Sequence, residues 1–360
     1  MPIKIAINGF GRIGRAVFKI LTNTPNHGCL VSPALLNVEV DIVAINDLTD
    51  PATLAYLLKY DSVYGRSDYN IEGKSSEDKS VGGLKFNDKV IPVFSEKDPE
   101  NLPWRKLAVD VVIESTGFFT KYEDAQKHIT AGAKYVVISA PAKGDEDENN
   151  STQVFGTEKT AEVFESEHKP VIISNASCTT NSVSPVTQVI ESAFGVEKAL
   201  MSTIHAYTSS QSLVDGPNSK IRLTRSAGLN IIPSSTGAAI ATTKVVPSLE
   251  GMFDGIAFRV PVAIGSVSDI TFVTKKNVTV EGVNNALTKA CSHPMLKNVL
   301  LTSKEPIVST DIIGTYYSAI VDLEYTKVVG GNLVKIVAWY DNEWGYSNRL
   351  AEMSVMLGKN

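Results

Sequence analysis

No stretch of the sequence stays apolar for anything near the ~18 residues that a membrane-spanning helix needs, so no membrane role is expected. Cysteine is scarce: Cys29, Cys178 and Cys291 are the only three in 360 residues. Three thiols cannot build a disulfide framework, and they suit a reducing compartment. There is no basic tract. Lys and Arg number 34 against 39 Asp and Glu, a formal net charge of −5, so nucleic acid is not an expected partner. Histidine is limited to five, with no metal-ligand spacing, and no metal is expected. Internal repeats and low-complexity tracts are missing too. The start, Met1-Pro2-Ile3-Lys4-Ile5, lacks the features of a secretory or transit segment, and Gly358-Lys359-Asn360 is no peroxisomal address. The cytoplasm is the expected location.

What is present is an ordinary globular mixture, 43% apolar and 20% charged. At roughly 150 residues per domain the length favours two domains. Residues 3–7 read as a buried strand, followed by a helical pattern through Ala16, Val17, Ile20 and Leu21. Turn-rich residues 23–37 delay the next strand, 40–46. The polar segment 65–83, with its mixed charge run 72–79, reads as a solvated hairpin or loop. Residues 109–113, 135–138 and 171–173 are further buried strands, with a helix over 122–130. Strand, helix, strand in this rhythm predicts a doubly wound parallel sheet. Beyond it, strands at 200–204, 256–260, 268–274, 318–322 and 333–340 have fewer helices between them, one at 280–290. That pattern predicts an α+β domain with a mixed, largely antiparallel sheet. A last helix near 350–357 could join either domain.

Gly9-x-Gly11-x-x-Gly14 lies between a strand and a helix, the context in which glycines let backbone N–H groups approach a pyrophosphate. An acid should follow ~20 residues on, at the end of the second strand. Asp47 ends that strand but comes 33 positions after Gly14, the excess being the insertion 23–37. No basic residue follows it to take a 2′-phosphate, which favours NAD over NADP. Otherwise Asp47 merely caps a turn before Pro51.

Cys178 follows the 171–173 strand and opens a helical pattern through Val183, Val186, Val189 and Ile190. A helix N-terminus favours thiolate and, with neighbouring hydroxyls, anion binding. Alone, such a cysteine is more often a small buried hydrophobe. His205, at a strand end before Thr208, Ser209, Ser210 and Gln211, is the partner that could activate it. His27, His128, His168 and His293 read as ordinary surface or packing residues, as do Cys29 and Cys291.

Taken together, N-G-F-G-R-I-G-R, E-S-T-G (114–117), I-S-A-P-A-K (138–143), S-N-A-S-C-T-T-N (174–181), H-A-Y-T (205–208), S-T-G-A-A (235–239), F-R-V-P (258–261) and W-Y-D-N-E-W-G-Y-S (339–347) resemble the phosphorylating glyceraldehyde-3-phosphate dehydrogenase family from Ile3 to the last helix. The resemblance implies a Rossmann-type NAD-binding domain, 1–176, completed by the C-terminal helix 343–360, and a catalytic domain, 177–342. It implies Cys178 as nucleophile and His205 as its activator. NAD would meet Gly9, Gly11, Arg12, Ile13, Gly14, Asp47, Ser115, Thr116, Gly117, Ser139 and Asn342, with Tyr346 beside the nicotinamide. Thr208 and Arg259 would hold the substrate's C3 phosphate. Ser177, Thr179, Thr236 and Gly237 would line a pocket for inorganic phosphate. The implied reaction oxidises glyceraldehyde 3-phosphate to 1,3-bisphosphoglycerate through a thiohemiacetal and a thioester, in a homotetramer.

The sequence departs from the family pattern in places. Ser182 stands where a second cysteine is frequent. Ile221-Arg222-Leu223-Thr224-Arg225 replaces a tryptophan–arginine pair, leaving open whether Arg222 or Arg225 serves the phosphate pocket, and Ile240 replaces a frequent lysine. Two other readings are an erythrose-4-phosphate dehydrogenase with the same chemistry and a catalytically silent nucleotide-binding scaffold.

Overall fold

The computed structural model describes residues 1–74 and 81–359. The chain divides into two compact units. Met1–Gln153, Ser166–Ala176 and Ser347–Asn360 form the first, and Val154–Glu165 with Ser177–Tyr346 the second.

Among the described residues the first unit holds a nine-stranded sheet. Its order is Asn150–Thr152, Ile172–Ser174, Tyr135–Ile138, Val111–Glu114, Ile3–Asn8, Val40–Asn46, Lys89–Phe94, Val81–Phe86 and Ile71–Lys74. The first seven run parallel and the last two add antiparallel. β-Branched, doubly covered strands such as Val-Val-Ile-Glu suit that parallel centre. The order reverses at Ile3–Asn8, whose neighbours are the second strand on one side and Val111–Glu114 on the other, the place where such sheets bind ligands beyond their carboxyl ends. Within residues 65–83, Gly65–Arg66 pairs back on Tyr60–Asp61 and Ile71–Lys74 pairs with Val81–Phe86. Residues 75–79 of the charge run lie outside the described residues.

The insertion 23–37 carries no helix or strand, as its turn residues predict. It is anchored: the Ser32 amide donates to Asn348 Oδ1 at 2.9 Å and Asn26 Nδ2 to the Gly65 carbonyl at 2.7 Å. Asn348 belongs to the last helix, Trp344–Gly358, whose Leu350, Ala351, Met353, Val355 and Leu357 are buried. Gly358 is required there, because a Cβ would come within 2.3 Å of the Ile3 side chain.

The second unit contains a seven-stranded sheet, ordered Ile232–Ser235, Phe253–Val260, Val196–Ala206, Ser266–Thr274, Leu333–Tyr340, Ala319–Val329 and Leu300–Ser303. Four neighbouring pairs are antiparallel and two parallel, the mixed sheet that the strand pattern predicts. Helices Cys178–Phe194, Ala238–Val245 and Val280–Ala290 cover it. The helix Glu158–Glu165, which a boundary at residue 176 assigns to the first domain, belongs to this unit. Lys159 Nζ donates to the Lys244 carbonyl at 2.9 Å, the Glu158 amide to Gln188 Oε1 at 3.3 Å, and Phe155 stacks on Phe164. Among the described residues no helix is long and apolar enough to cross a membrane, and no cluster of three or more His, Cys, Asp or Glu could hold a metal ion.

Candidate active site

In the first unit the glycine turn is built by close approach. Gly9 has φ +91°, and a Cβ on it would lie 2.6 Å from the Ser115 and Thr116 backbone. A Cβ on Gly14 would meet the Gly9 carbonyl oxygen at 2.2 Å, so the helix start can sit on the strand end only as glycine. The helix Arg12–Leu21 starts with Gly11 at its cap, no side-chain cap bond and no acid in its first turn. Its positive dipole end at the glycine turn favours an anion. Arg12 turns its guanidinium to Asp61 at 3.4 Å and over the Tyr64 ring, and Ile13 is half-buried beside it. Asp47 stands at the end of the second strand, where its Oδ2 accepts from the Phe10 amide at 2.7 Å and its Oδ1 from Thr49 at 2.9 Å. Ser115 Oγ donates to the Gly9 carbonyl at 2.7 Å, the exposed Gly117 turns with φ +77°, and the Ser139 amide donates to the Glu114 carbonyl at 2.9 Å. A glycine turn at a helix start with a carboxylate on the next strand end fits a dinucleotide.

In the second unit Ser177 caps the helix Cys178–Phe194 by accepting from the Thr180 amide at 3.1 Å, which puts Cys178 at its first position. His205 and Arg259 are register partners on the neighbouring parallel strands Val196–Ala206 and Phe253–Val260. Cys178 Sγ lies 3.3 Å from His205 Nε2, and an Arg259 Nη1 lies 2.5 Å from His205 Nδ1.

Burial raises the Cys178 thiol above its usual range, against the opposing pull of Arg259. It pushes the His205 imidazole down to about 3, and the Arg259 charge adds to that. The expected thiolate bias of the helix terminus is thus outweighed by desolvation, and the resting pair is a thiol facing a neutral imidazole. His205 Nδ1 lies 2.6 Å from the Ala206 carbonyl. Arg259 donates to that same carbonyl at 3.0 Å.

Thr179 Oγ1 is 2.9 Å from the buried Tyr340 hydroxyl, which also lies 2.8 Å from Thr203 Oγ1, while the Tyr340 ring meets His205 edge-on. Tyr340 falls within the W-Y-D-N-E-W-G-Y-S motif, but nothing in that motif singles out its hydroxyl. Asn342 Oδ1 accepts from Ser266 Oγ at 3.0 Å, and Ser266 Oγ accepts from the Ala206 amide at 3.1 Å, tying Asn342 to the strand end that carries His205. Thr208 Oγ1 lies 2.9 Å from Ser210 Oγ. Thr236 Oγ1 accepts from the Ala238 amide at 3.2 Å, and Gly237 caps the helix Ala238–Val245 with open space where a Cβ would be. Tyr346 is buried in the first turns of the last helix. Arg225 is engaged by Asp215 at 2.9 Å, and Arg222 lines a separate recess of about 490 Å³ with Lys220 and Ser235. Nothing in the structure explains Ile240.

Two family models match, "Glyceraldehyde 3-phosphate dehydrogenase, NAD binding domain" over residues 3–122 and "Glyceraldehyde 3-phosphate dehydrogenase, C-terminal domain" over 177–342. The chain belongs to the glyceraldehyde-3-phosphate dehydrogenase family. Curated glyceraldehyde-3-phosphate dehydrogenases are similar over essentially their whole length. That of Streptomyces coelicolor is 46% identical over 358 residues, covering 99% of each chain. That of Geobacillus stearothermophilus is 45% identical over 359, covering 99% of this chain and 98% of its own. A third, from Mycobacterium avium, is 45% identical over 359 residues. As a glyceraldehyde-3-phosphate dehydrogenase the protein is an NAD-dependent oxidoreductase of glycolysis acting on glyceraldehyde 3-phosphate, which sets aside the silent scaffold.

Proposed function

We propose that Cys178 and His205 carry the oxidation and that inorganic phosphate is the second substrate, giving 1,3-bisphosphoglycerate. The observation that carries this reading is the Sγ–Nε2 distance of 3.3 Å at a helix N-terminus, with Arg259 alongside. His205 Nε2 takes the thiol proton as sulfur bonds to the aldehyde carbon, and returns it to the new oxyanion to give a thiohemiacetal. It then takes the hydroxyl proton as the carbon becomes a thioester. NAD, when bound, supplies the acceptor for the departing hydride. A phosphate oxygen attacks the thioester carbon, the C–S bond breaks, and the leaving sulfur recovers its proton from the imidazolium.

Arg259 and Thr208 serve the substrate's C3 phosphate. The amides at the starts of the two helices, with Ser177, Thr179, Thr236 and Gly237, serve inorganic phosphate. A bound dianion beside Arg259 offsets the charge that depresses His205, and so eases its protonation during turnover. Asn342, its side-chain oxygen held by Ser266, and Tyr346 would be the residues of the second unit that serve the nicotinamide. Gly9, Gly11, Arg12, Ile13, Gly14, Asp47, Ser115, Thr116, Gly117 and Ser139 take the rest of the dinucleotide.

We further propose a cytoplasmic homotetramer. Support for self-association comes from Leu213, Val214, Ile221, Leu229 and Ile231, large apolar side chains of one segment that are all exposed. The three free cysteines suit a reducing compartment. Intact mass after mixing enzyme, NAD and glyceraldehyde 3-phosphate without phosphate tests the covalent step. A phosphoglyceryl adduct mapped to Cys178 is expected; an adduct elsewhere, or none during turnover, refutes it.

A further inference from the structure

Beneath the cofactor crevice of the first unit, one buried hydrogen-bond network joins the three strand ends that carry Gly9, Asp47 and the Ser115–Gly117 turn. Its centre is Glu114, which has both carboxylate oxygens engaged. Oε1 accepts from the Thr116 amide at 2.8 Å and from the Thr116 hydroxyl. Oε2 accepts from Asn8 Nδ2 at 2.5 Å and lies 3.1 Å from His128 Nε2.

The tautomer of His128 follows from its other side. Trp104 Nε1 can only donate, and it lies 3.0 Å from His128 Nδ1, so Nδ1 is the acceptor and Nε2 carries the proton given to Glu114. Asn8 Oδ1 in turn accepts from Asn46 Nδ2 at 2.7 Å, and Asn46 exchanges two further bonds with the Glu96 backbone at 2.9 Å. Asn8 immediately precedes Gly9, and Asn46 immediately precedes Asp47. Thr116 Oγ1 also accepts from the Phe118 amide at 3.0 Å, which closes the turn around Gly117. Glu114, His128, Trp104, Asn8 and Asn46 are all buried.

We infer that Glu114, locked by His128 and Trp104, is the positioning residue of the cofactor site: it holds the glycine turn, the Asp47 strand end and the Thr116 turn at one mutual spacing. The inference rests on the reading of this crevice as the NAD site. The rest of this layer is aliphatic and aromatic, with Ala6, Ala44, Val112 and Val136 as neighbours. Apolar side chains could fill the volume, but they could not aim the Thr116 amide or couple it to Asn8. His128, with no partner visible in the linear sequence, is therefore far from the ordinary packing residue that its helix flank suggests.

The test measures NAD dissociation constants by titration calorimetry, beside KM for NAD and kcat. His128→Leu is expected to weaken NAD binding about tenfold, with KM following and kcat at saturating NAD held within about threefold. His128→Gln can accept from Trp104 and donate to Glu114, and should recover most of the affinity. If His128→Leu does not fold, Trp104→Phe removes one donor and keeps an aromatic filling; about a threefold loss is expected. Asp47→Ala is the control for the crevice itself. NAD binding unchanged in His128→Leu (or Trp104→Phe) while Asp47→Ala weakens it overturns the positioning role alone. Unchanged binding in Asp47→Ala overturns the crevice reading and the inference with it. A Gln variant no better than Leu overturns the hydrogen-bond basis, as does a loss of thermal stability with no change in affinity.

Discussion

Replacing Gly14 by alanine tests the cofactor turn at its tightest point. The new Cβ would sit 2.2 Å from the Gly9 carbonyl oxygen, 3.2 Å from the Gly9 carbonyl carbon and 3.2 Å from Ser115 Oγ. Ordinary contact needs roughly 3.4 Å or more, so the helix start and the turn must separate by about 1 Å. Gly9 cannot retreat far, because the Ser115 and Thr116 backbone lies 2.6 Å from where a Cβ on it would sit. Overpacking of this kind costs about 1–3 kcal/mol, and strain on the 2.7 Å bond from Ser115 Oγ to the Gly9 carbonyl adds about 1 kcal/mol. At about 2–4 °C per kcal/mol for a unit of this size, the melting temperature should fall by roughly 4–16 °C. The displaced amides would also weaken NAD at least about tenfold. Differential scanning calorimetry and NAD titration read both effects. A melting temperature within about 1 °C of the parent, with unaltered NAD affinity, would refute the close-approach argument.

Cys178→Ser should abolish aldehyde oxidation with NAD affinity intact, and near-normal turnover would remove Cys178 from its role. His205→Asn should slow iodoacetamide alkylation of Cys178 at pH 7 by about 10²-fold or more, since the base beside the sulfur is gone; an unchanged rate contradicts the pairing. Lys19 is buried, and desolvation pushes its ammonium down to about 8 despite the opposing charge of Asp61. Below pH 8 both folded and unfolded states carry the charge and the penalty is complete; it fades as pH rises toward the ordinary lysine value. Lys19→Met should therefore stabilise the protein by about 1–3 kcal/mol at pH 7 and by much less near pH 10.5, as urea unfolding at the two pH values would show. A gain equal at both would disprove the desolvation origin.

The parallel strands of the first unit and the glycine turn are legible because their signals are local: β-branched runs, and glycines framed by a strand and a helix. The Ile232–Ser235 strand is not, since Ile-Pro-Ser-Ser lacks apolar alternation and its pairing comes entirely from Phe253–Val260. Helix Ala238–Val245, rich in Ala and Thr, likewise has little amphipathic pattern. At the candidate site Cys178 and His205 can be read from their strand-end and helix-start positions. Tyr340 and His128 cannot, because each acquires its role from partners distant in sequence: Thr179 and Thr203 for one, Trp104 and Glu114 for the other. The neutral resting state of the cysteine–histidine pair is also invisible in the motif, since it depends on how deeply the fold buries two side chains beside Arg259.

The most direct test of the proposed chemistry is NADH formation from glyceraldehyde 3-phosphate with inorganic phosphate present and then omitted. The account predicts sustained turnover only with phosphate, and without it at most one NADH per active site on the fast time scale as the thioester accumulates. Rapid sustained turnover without phosphate would contradict it, because water would then be the acyl acceptor and the anion pocket beside Cys178 would have no role in the reaction.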